Sequence, residues 1–95
     1  MSESGRELTL LLSTRRLDAD SAPRLHDELM RNICGVKRLT IDMSAVIYIS
    51  SAGLRALLSA QHAMGDGSSV TLKNVCDSVR HTLEITGFVE IFTVP

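Results

Sequence analysis

The sequence predicts a single α/β domain, a layer sandwich in which helices pack against a small, mixed but mostly parallel sheet of about four strands. Two observations lead to this prediction. Segments with strand periodicity alternate along the chain with segments of helical periodicity, as in folds whose right-handed crossovers build a parallel sheet. The 95 residues suffice for one hydrophobic core but not for a separate module, so residues 1–95 are expected to form one domain.

The first strand and the first helix are predicted from two contrasting patterns. Leu8 to Ser13 is a nearly continuous apolar run, typical of a strand that is covered on both faces and lies centrally in its sheet. Apolar residues then recur at every fourth position: Leu25, Leu29 and Ile33. This spacing predicts an amphipathic helix, with Ser21 as its cap, Pro23 in its first turn and Gly35 at its end.

Strand periodicity returns at the centre of the chain and then gives way to a second helix. Apolar and polar residues alternate over five positions: Leu39, Thr40, Ile41, Asp42 and Met43. After Gly53 the apolar residues follow a helical stripe: Leu54, Leu57, Leu58, Ala60, Ala63 and Met64. An apolar strand is therefore predicted to run into a helix that opens at Ser50 and Ser51.

The last third of the chain predicts a further strand and helix. A turn rich in glycine and serine precedes an alternating strand over residues 70–75, and Asp77 or Ser78 then starts a helix that Gly87 ends. The inner line of this helix is expected to comprise three residues: Val79, Leu83 and Thr86. Residues 92–94 are expected to add a short last strand.

The edge of the sheet beside residues 8–13 is expected to be open. Too few residues precede this segment to supply a strand that would pair with it, so a first strand is predicted to be missing. An open strand edge exposes unpaired backbone groups. A weak homodimer through that edge is one expected consequence.

Composition argues against several classes of partner. Ten basic residues against eleven acidic ones give a formal charge of −1, and one Tyr, two Phe and no Trp leave no aromatic platform, so nucleic acid is not expected. Cys34 and Cys76 have neither C-x-x-C nor metal-ligand spacing, which favours free thiols. Because the chain starts without an apolar signal segment and holds no apolar run of membrane-span length, we expect a cytoplasmic protein.

No catalytic constellation is visible. The turn Ser50-Ser-Ala-Gly53 lacks the G-x-S-x-G pattern of a nucleophile elbow, and neither a phosphate-binding loop nor a dinucleotide fingerprint occurs. The histidines have no partners at metal-ligand spacing. We therefore expect a protein that is not an enzyme and needs no cofactor.

The junction at Ser50 and Ser51 is the strongest candidate for a functional site. Free backbone N–H groups point outward at a helix N-terminus, a place that suits a serine cap and also suits an anion. From the residue pattern alone, Ser51 is interpreted as a helix cap. Asp42 is expected to form side-chain to backbone bonds in the loop that follows its strand, and Asp18 to serve the turn before the first helix.

The order of elements and three local motifs together resemble the STAS domain, and within it the anti-sigma factor antagonists of bacteria. The motifs are Leu17-Asp18-Ala19, Asp42-x-Ser44 and Ser50-Ser-Ala-Gly-Leu54, and the resemblance covers the chain from Glu7 onward. It implies that Ser51 is the acceptor of a regulatory phosphate, with Ser50 as a minor candidate. It also implies a set of partner-binding residues: Asp18, Ser50, Ala52, Gly53, Leu54 and Arg55.

The same resemblance implies the partners. An unmodified domain of this kind binds an anti-sigma factor, which is also the serine kinase that phosphorylates it with ATP, and a serine phosphatase reverses the mark. Three positions depart from the family pattern: Ser50 replaces an acidic residue, Ala52 a second serine and Arg15 a glycine. The first of these, Ser50 in place of the acid, keeps open an alternative: a non-phosphorylated STAS subunit that is a structural or scaffolding component of a larger complex such as a lipid-transport ATPase or a stress-sensing assembly.

Overall fold

The computed structural model describes residues 6–95. Five strands, three helices and a short 3-10 turn follow one another in these residues. Their bounds are β1 Arg6–Leu11, β2 Arg16–Leu17, α1 Ala22–Asn32, β3 Val36–Asp42, β4 Tyr48–Ile49, α2 Ser51–Met64, β5 Ser69–Lys73, α3 Asp77–Ile85 and the 3-10 turn Phe88–Glu90. The predicted α/β class is confirmed.

The strands form two sheets in which every described pair is parallel. The main sheet has the order β1-β3-β5, and β2 pairs with β4 in a second, two-stranded sheet. The predicted last strand is reduced to a single bridge, because only Thr93 exchanges hydrogen bonds with β5. The N–H of Leu72 donates to the carbonyl of Thr93, and the N–H of Thr93 donates to Val70, both at 2.8 Å.

One hydrophobic core joins the main sheet to the helices. Leu39, Ile41 and Met43 are fully buried, as their alternation predicted, and they belong to the same cluster as Leu29 and Leu57 of the first two helices. Helices α1 and α2 pack against each other on this core. The alternate residues of β3 are less buried, so the main sheet has one covered face and one more polar face.

The predicted central position of the first strand is wrong. Strand β1 lies at an edge of the main sheet and is covered on only one face, since Leu8 and Leu10 are half-buried while Thr9 is exposed. Leu11 is 70 % exposed. A run of leucines indicated burial on both faces because sequence alone does not say which strand lies beside it. The predicted open edge is present in the described part of the chain, since β1 pairs with β3 alone.

Ser21 occupies the capping position of α1, as predicted, but its side chain makes no capping bond. Its hydroxyl donates to the carbonyl of Arg16 at 2.6 Å and accepts the N–H of Asp18 at 3.0 Å. The carbonyl of Asp18 accepts the N–H of Ala22 at 2.8 Å. Hydroxyl groups of serine commonly form such local bonds in turns as well as in caps.

Three residues of the predicted helical stripes lie outside the core. Leu58 of α2 is only half-buried and is not part of the core cluster, Ala63 of α2 is exposed, and Thr86 is exposed just beyond the end of α3. The hydroxyl of Thr86 donates to the carbonyl of Thr82 at 2.7 Å, so its polar group is satisfied locally rather than in the core. Helix α3 begins at Asp77 as predicted, and Val79 and Leu83 form its buried line.

Candidate functional site

The two serines reach the surface on a small sheet of their own, rather than on one continuous strand. Strand β3 ends at Asp42, and an irregular loop leads to β4, which pairs with β2. Backbone bonds extend this pairing on both sides. The N–H of Ile47 donates to the carbonyl of Arg15, and the N–H of Ser50 donates to the carbonyl of Leu17, both at 2.8 Å. The predicted continuous strand is therefore wrong, but its end point at the serines is correct.

The loop before β4 is held in place by the start of α3. The hydroxyl of Ser78 donates to the carbonyl of Ile47 at 2.9 Å, and the thiol of Cys76 lies 3.4 Å from the carbonyl of Val46. At the other end of the loop, the carboxylate of Asp42 accepts the N–H of Ser44 at 3.0 Å, as its loop role predicted. These bonds fix the path of the chain into the site.

The two serines differ in accessibility. Ser51 is exposed at the first helical position of α2, while Ser50 occupies the capping position in an extended conformation and makes no side-chain cap bond. The hydroxyl oxygen of Ser50 is buried and has no hydrogen-bond partner among the described residues. The interpretation of Ser51 as a helix cap is therefore wrong. Its hydroxyl faces solvent at the positive end of the helix dipole.

Gly53 permits a close approach between α2 and the small sheet. A Cβ atom at this position would lie 2.8 Å from the carbonyl oxygen of Leu17 and 2.9 Å from Cγ1 of Ile49. Gly53 is buried and Leu54 is only 4 % exposed. These two residues therefore lie beneath the surface of the site.

The remaining predicted contact residues lie nearer the surface. Ala52 is half-buried and Arg55 is exposed, and both line a groove of about 340 Å³ between α1 and α2. Ala19 and Ala22 form part of its opposite wall, together with His26. The groove therefore joins the start of α2 to the start of α1.

Asp18 lies beside the serines because β2, which ends one residue before it, pairs with β4. Its carboxylate accepts the N–H groups of Ser21 at 3.2 Å and Asp20 at 3.1 Å. The bond from Ser21 is the main cause that lowers the pKa of Asp18, and the nearby Arg16 guanidinium adds to it. The predicted turn role of Asp18 is thus present in the structure.

Sequence reasoning missed three residues of this surface: Arg16, Ile47 and Tyr48. Ile47 is 47 % exposed and Tyr48 is 42 % exposed. The Arg16 guanidinium lies 4.4 Å from the centre of the Tyr48 ring, within reach of a cation–π interaction. Adjacent exposed apolar side chains of this size are typical of a surface that binds protein. The run Val46-Ile47-Tyr48-Ile49 indicated only burial, which its two outer residues do have.

Residues 6–95 contain no group of three or more His, Cys, Asp or Glu side chains arranged to hold a metal ion. The same stretch includes no helix with the length and apolar character needed to cross a membrane. The residues described above give the site an exposed serine, exposed apolar side chains and two arginines, Arg16 and Arg55. Such a set suits recognition and modification of the surface.

The low pKa of Asp18 predicts how acid affects stability. A carboxyl whose pKa is depressed by folding stabilises the native state above its ordinary value of about 4, and this contribution is lost as pH falls through the folded-state pKa. Asn in its place still accepts the turn bonds but does not titrate. We therefore expect the stability difference between the wild-type chain and Asp18→Asn to shrink as pH falls from about 5 through the lowered folded-state pKa of Asp18 in urea unfolding. A difference that stays constant with pH would contradict this assignment.

Comparison with known proteins identifies the family. The family model described as Mlab, STAS domain, matches residues 1–93. The chain belongs to the STAS-domain family. Two known proteins are similar in sequence to this STAS domain. A STAS-domain containing protein of Pseudomonas aeruginosa is 29 % identical over 94 residues, which cover 98 % of this chain and 92 % of the relative. BtrV of Bordetella bronchiseptica, provisionally named an anti-sigma factor antagonist, is 35 % identical over 80 residues, or 82 % and 69 % of the two chains.

Solved structures of anti-sigma factor antagonists share the fold of this STAS domain. A crystal structure of one from Mycobacterium paratuberculosis superposes with a TM-score of 0.76 at 22 % identity, covering 99 % of this chain and 80 % of the other. The anti-sigma factor antagonist SpoIIAA in its unphosphorylated form gives a TM-score of 0.59 at 13 % identity, covering 83 % and 70 %. The predicted resemblance to the STAS domain and its anti-sigma factor antagonists is confirmed.

Proposed function

We propose that this STAS domain is an anti-sigma factor antagonist, which binds an anti-sigma factor while Ser51 is unmodified and is released when Ser51 is phosphorylated. One observation carries the proposal: an exposed serine stands at the first position of α2, directly after the short strand that carries the exposed Tyr48. A switch needs an accessible hydroxyl inside a surface that a protein partner would cover. The names of BtrV and of the two structural neighbours support this class of partner.

Ser51 is a better phosphate acceptor than Ser50. A kinase must bring the serine oxygen in line with the transferred phosphoryl group, and the oxygen of Ser50 is buried whereas Ser51 is exposed. Ser50 takes the place of the acidic residue of the family pattern and so adds a second hydroxyl next to the acceptor. Because its oxygen is buried, we assign Ser50 a supporting role beneath Ser51 rather than the role of acceptor.

A phosphate on Ser51 would be tolerated by the fold itself. It would add about −1.5 to −2 charges at the positive end of the α2 dipole. Arg55 is exposed four residues further along the helix, the spacing at which an anion and a following cation attract each other. Because its own helix accommodates the charge, the modification would act on the partner rather than unfold the domain.

The phosphate would weaken binding of the anti-sigma factor. A contact built around Ile47, Tyr48 and Ala52 would bury apolar surface beside Ser51. A dianion placed there would have to lose its hydration without a paired cation from the partner, which is unfavourable. The partner would be the kinase itself, using ATP, and a serine phosphatase would restore binding.

The first test is tandem mass spectrometry of the protein isolated from its native cells across growth and stress conditions. We expect a phosphate, about 80 Da, on Ser51 in some conditions and none on Ser50. Expressed in the same cells, Ser51→Ala should lose the modification and Ser50→Ala should keep it. Absence of phosphate in every condition, with full coverage of the peptide, would contradict the switch.

The alternative is a constitutive STAS subunit that acts as a structural component of a larger complex, such as a lipid-transport ATPase or a stress-sensing assembly. One observation favours it: the matching family model is described by the name Mlab rather than as an anti-sigma factor antagonist. The two functions differ in a measurable way. A constitutive subunit copurifies with the same partner in all conditions and also when Ser51 is replaced by Asp.

A further inference from the structure

Within residues 6–95, the outer edge of β1 has backbone groups that pair with no other strand. The N–H of Arg6 donates to the carbonyl of Gly35, and that of Leu12 donates to the carbonyl of Asp42. Since backbone directions alternate along a strand, the even-numbered residues of β1 face β3 and the odd-numbered ones face outward. The outward N–H groups and carbonyls belong to Glu7, Thr9 and Leu11, and no described strand pairs with them.

This edge carries little of the protection that edge strands usually have. Charges, prolines and bulges normally keep edge strands from pairing with other chains. Here a bulge lies only at the start, between Arg6 and Glu7, and Glu7 is engaged by Arg38, whose Nη2 lies 2.6 Å from its carboxylate. The segment from Leu8 to Leu11 has neither charge nor proline, and Leu11 is 70 % exposed. The edge is therefore suited to pairing.

The charged surface of α1 next to the β1 edge indicates which partner pairs with that edge. A groove of about 360 Å³ beside Leu11 is lined by Asp20, Arg24 and Glu28 at the start of α1 and along it. Arg31 continues this line by helical spacing, and all four charged residues are exposed. Their charges alternate along the helix as negative, positive, negative and positive.

This row of four alternating charges, the α1 stripe, can pair with a second copy of itself. When two α1 helices lie antiparallel, each charge of one stripe faces an opposite charge of the other. If a two-fold axis passes between Arg24 and Glu28, then Arg24 of each copy faces Glu28 of the other, and Asp20 faces Arg31. Every pair is then of opposite sign, and each pair occurs twice, as a two-fold interface requires. Antiparallel pairing of two β1 strands brings the two α1 helices into the same antiparallel relation.

We propose that a second copy of this chain docks on the β1 edge, so that two main sheets join through antiparallel β1 strands and the α1 stripes face each other. The strand edge supplies backbone hydrogen bonds, and the stripe sets the direction and register. None of the edge and stripe residues belongs to the exposed surface around Ser51. The dimer therefore leaves that surface open, and the inference does not depend on the proposed switch.

Sedimentation velocity of the whole chain over about a hundredfold range of concentration tests the dimer. The wild-type chain should form dimers with a Kd in the micromolar range, as small interfaces do. Arg24→Glu or Glu28→Arg alone should weaken the dimer at least about tenfold, because each creates like-charge pairs. The double reversal Arg24→Glu with Glu28→Arg should return the Kd to within about threefold of wild type, because the pairs regain opposite signs.

Thr9→Pro tests the strand edge. Proline removes the outward N–H of Thr9 but no hydrogen bond to β3, so the domain should stay folded while the dimer is lost. Thr9→Val is the matched control and should keep the dimer. A chain that stays monomeric at every concentration overturns the proposal and leaves the edge to another occupant. A dimer that survives Thr9→Pro and both single charge reversals overturns it as well.

Discussion

The Ser51→Asp variant is expected to bind the anti-sigma factor at least about a hundredfold more weakly than the wild-type chain, a loss of about 3 kcal/mol. Ser51 is exposed three residues after the exposed Tyr48, and in the proposed function the anti-sigma factor covers both positions. A carboxylate at position 51 must then lose its water without gaining a cation from the anti-sigma factor, whereas an uncharged hydroxyl is far less costly to dehydrate. Calorimetric titration against the anti-sigma factor kinase of the same organism, without ATP, measures the effect.

Ser51→Asn is the matched control for this experiment. Asn has nearly the shape of Asp but no charge, so its binding should stay within about tenfold of wild type. Asp at the first helical position favours the helix through its dipole, and thermal unfolding of Ser51→Asp should therefore show no loss of stability. Equal binding by Ser51→Asp and the wild-type chain would refute the switch and favour a constitutive subunit.

The parts of the fold that sequence could predict are those encoded by local periodicity. Alternation from Leu39 to Met43 placed the buried face of β3 correctly, and the spacing of Leu25 and Leu29 found α1. The start of α2 at Ser51 also followed from a change of period. In each of these segments, many consecutive residues repeat the same pattern, so one exception does not hide it.

The parts that sequence missed depend on contacts between distant segments. Strands β2 and β4 have two residues each, too few for a period, and only their pairing with each other defines them. The same pairing determines that the hydroxyl oxygen of Ser50 is buried while Ser51 is exposed. Leu11 was misjudged for a related reason, because its exposure depends on which strand lies beside β1 and not on its own segment.

Residue roles were harder to predict than residue positions. The sequence correctly placed Asp18 in the turn before α1 and Ser21 at the capping position, but it did not show which bonds their side chains make. The hydroxyl of Ser21 donates to the carbonyl of Arg16 instead of capping the helix, and the carboxylate of Asp18 accepts the N–H groups of Asp20 and Ser21. Both side chains can accept bonds from backbone N–H groups, and the path of β2 determines which bonds each one makes.

The small sheet also explains the second large effect that we expect, the loss of stability in Gly53→Ala. Alanine is normally better than glycine inside a helix by about 1 kcal/mol. At this position, however, the added Cβ would lie 2.8 Å from the carbonyl oxygen of Leu17 and 2.9 Å from Ile49. Backbone atoms cannot rotate away, so α2 and the small sheet must separate.

Separating them should cost about 1–3 kcal/mol, as overpacking usually does, and the free energy of unfolding in urea should fall by that amount. Ser51→Ala, in the same helix but exposed, should change it by less than about 0.5 kcal/mol. Because the small sheet also carries Tyr48, Gly53→Ala should weaken partner binding even though the surface residues are intact. If Gly53→Ala is as stable as the wild-type chain, α2 and Leu17 can move apart at no cost in free energy. The presence of glycine at position 53 would then be explained by contact with the partner rather than by packing.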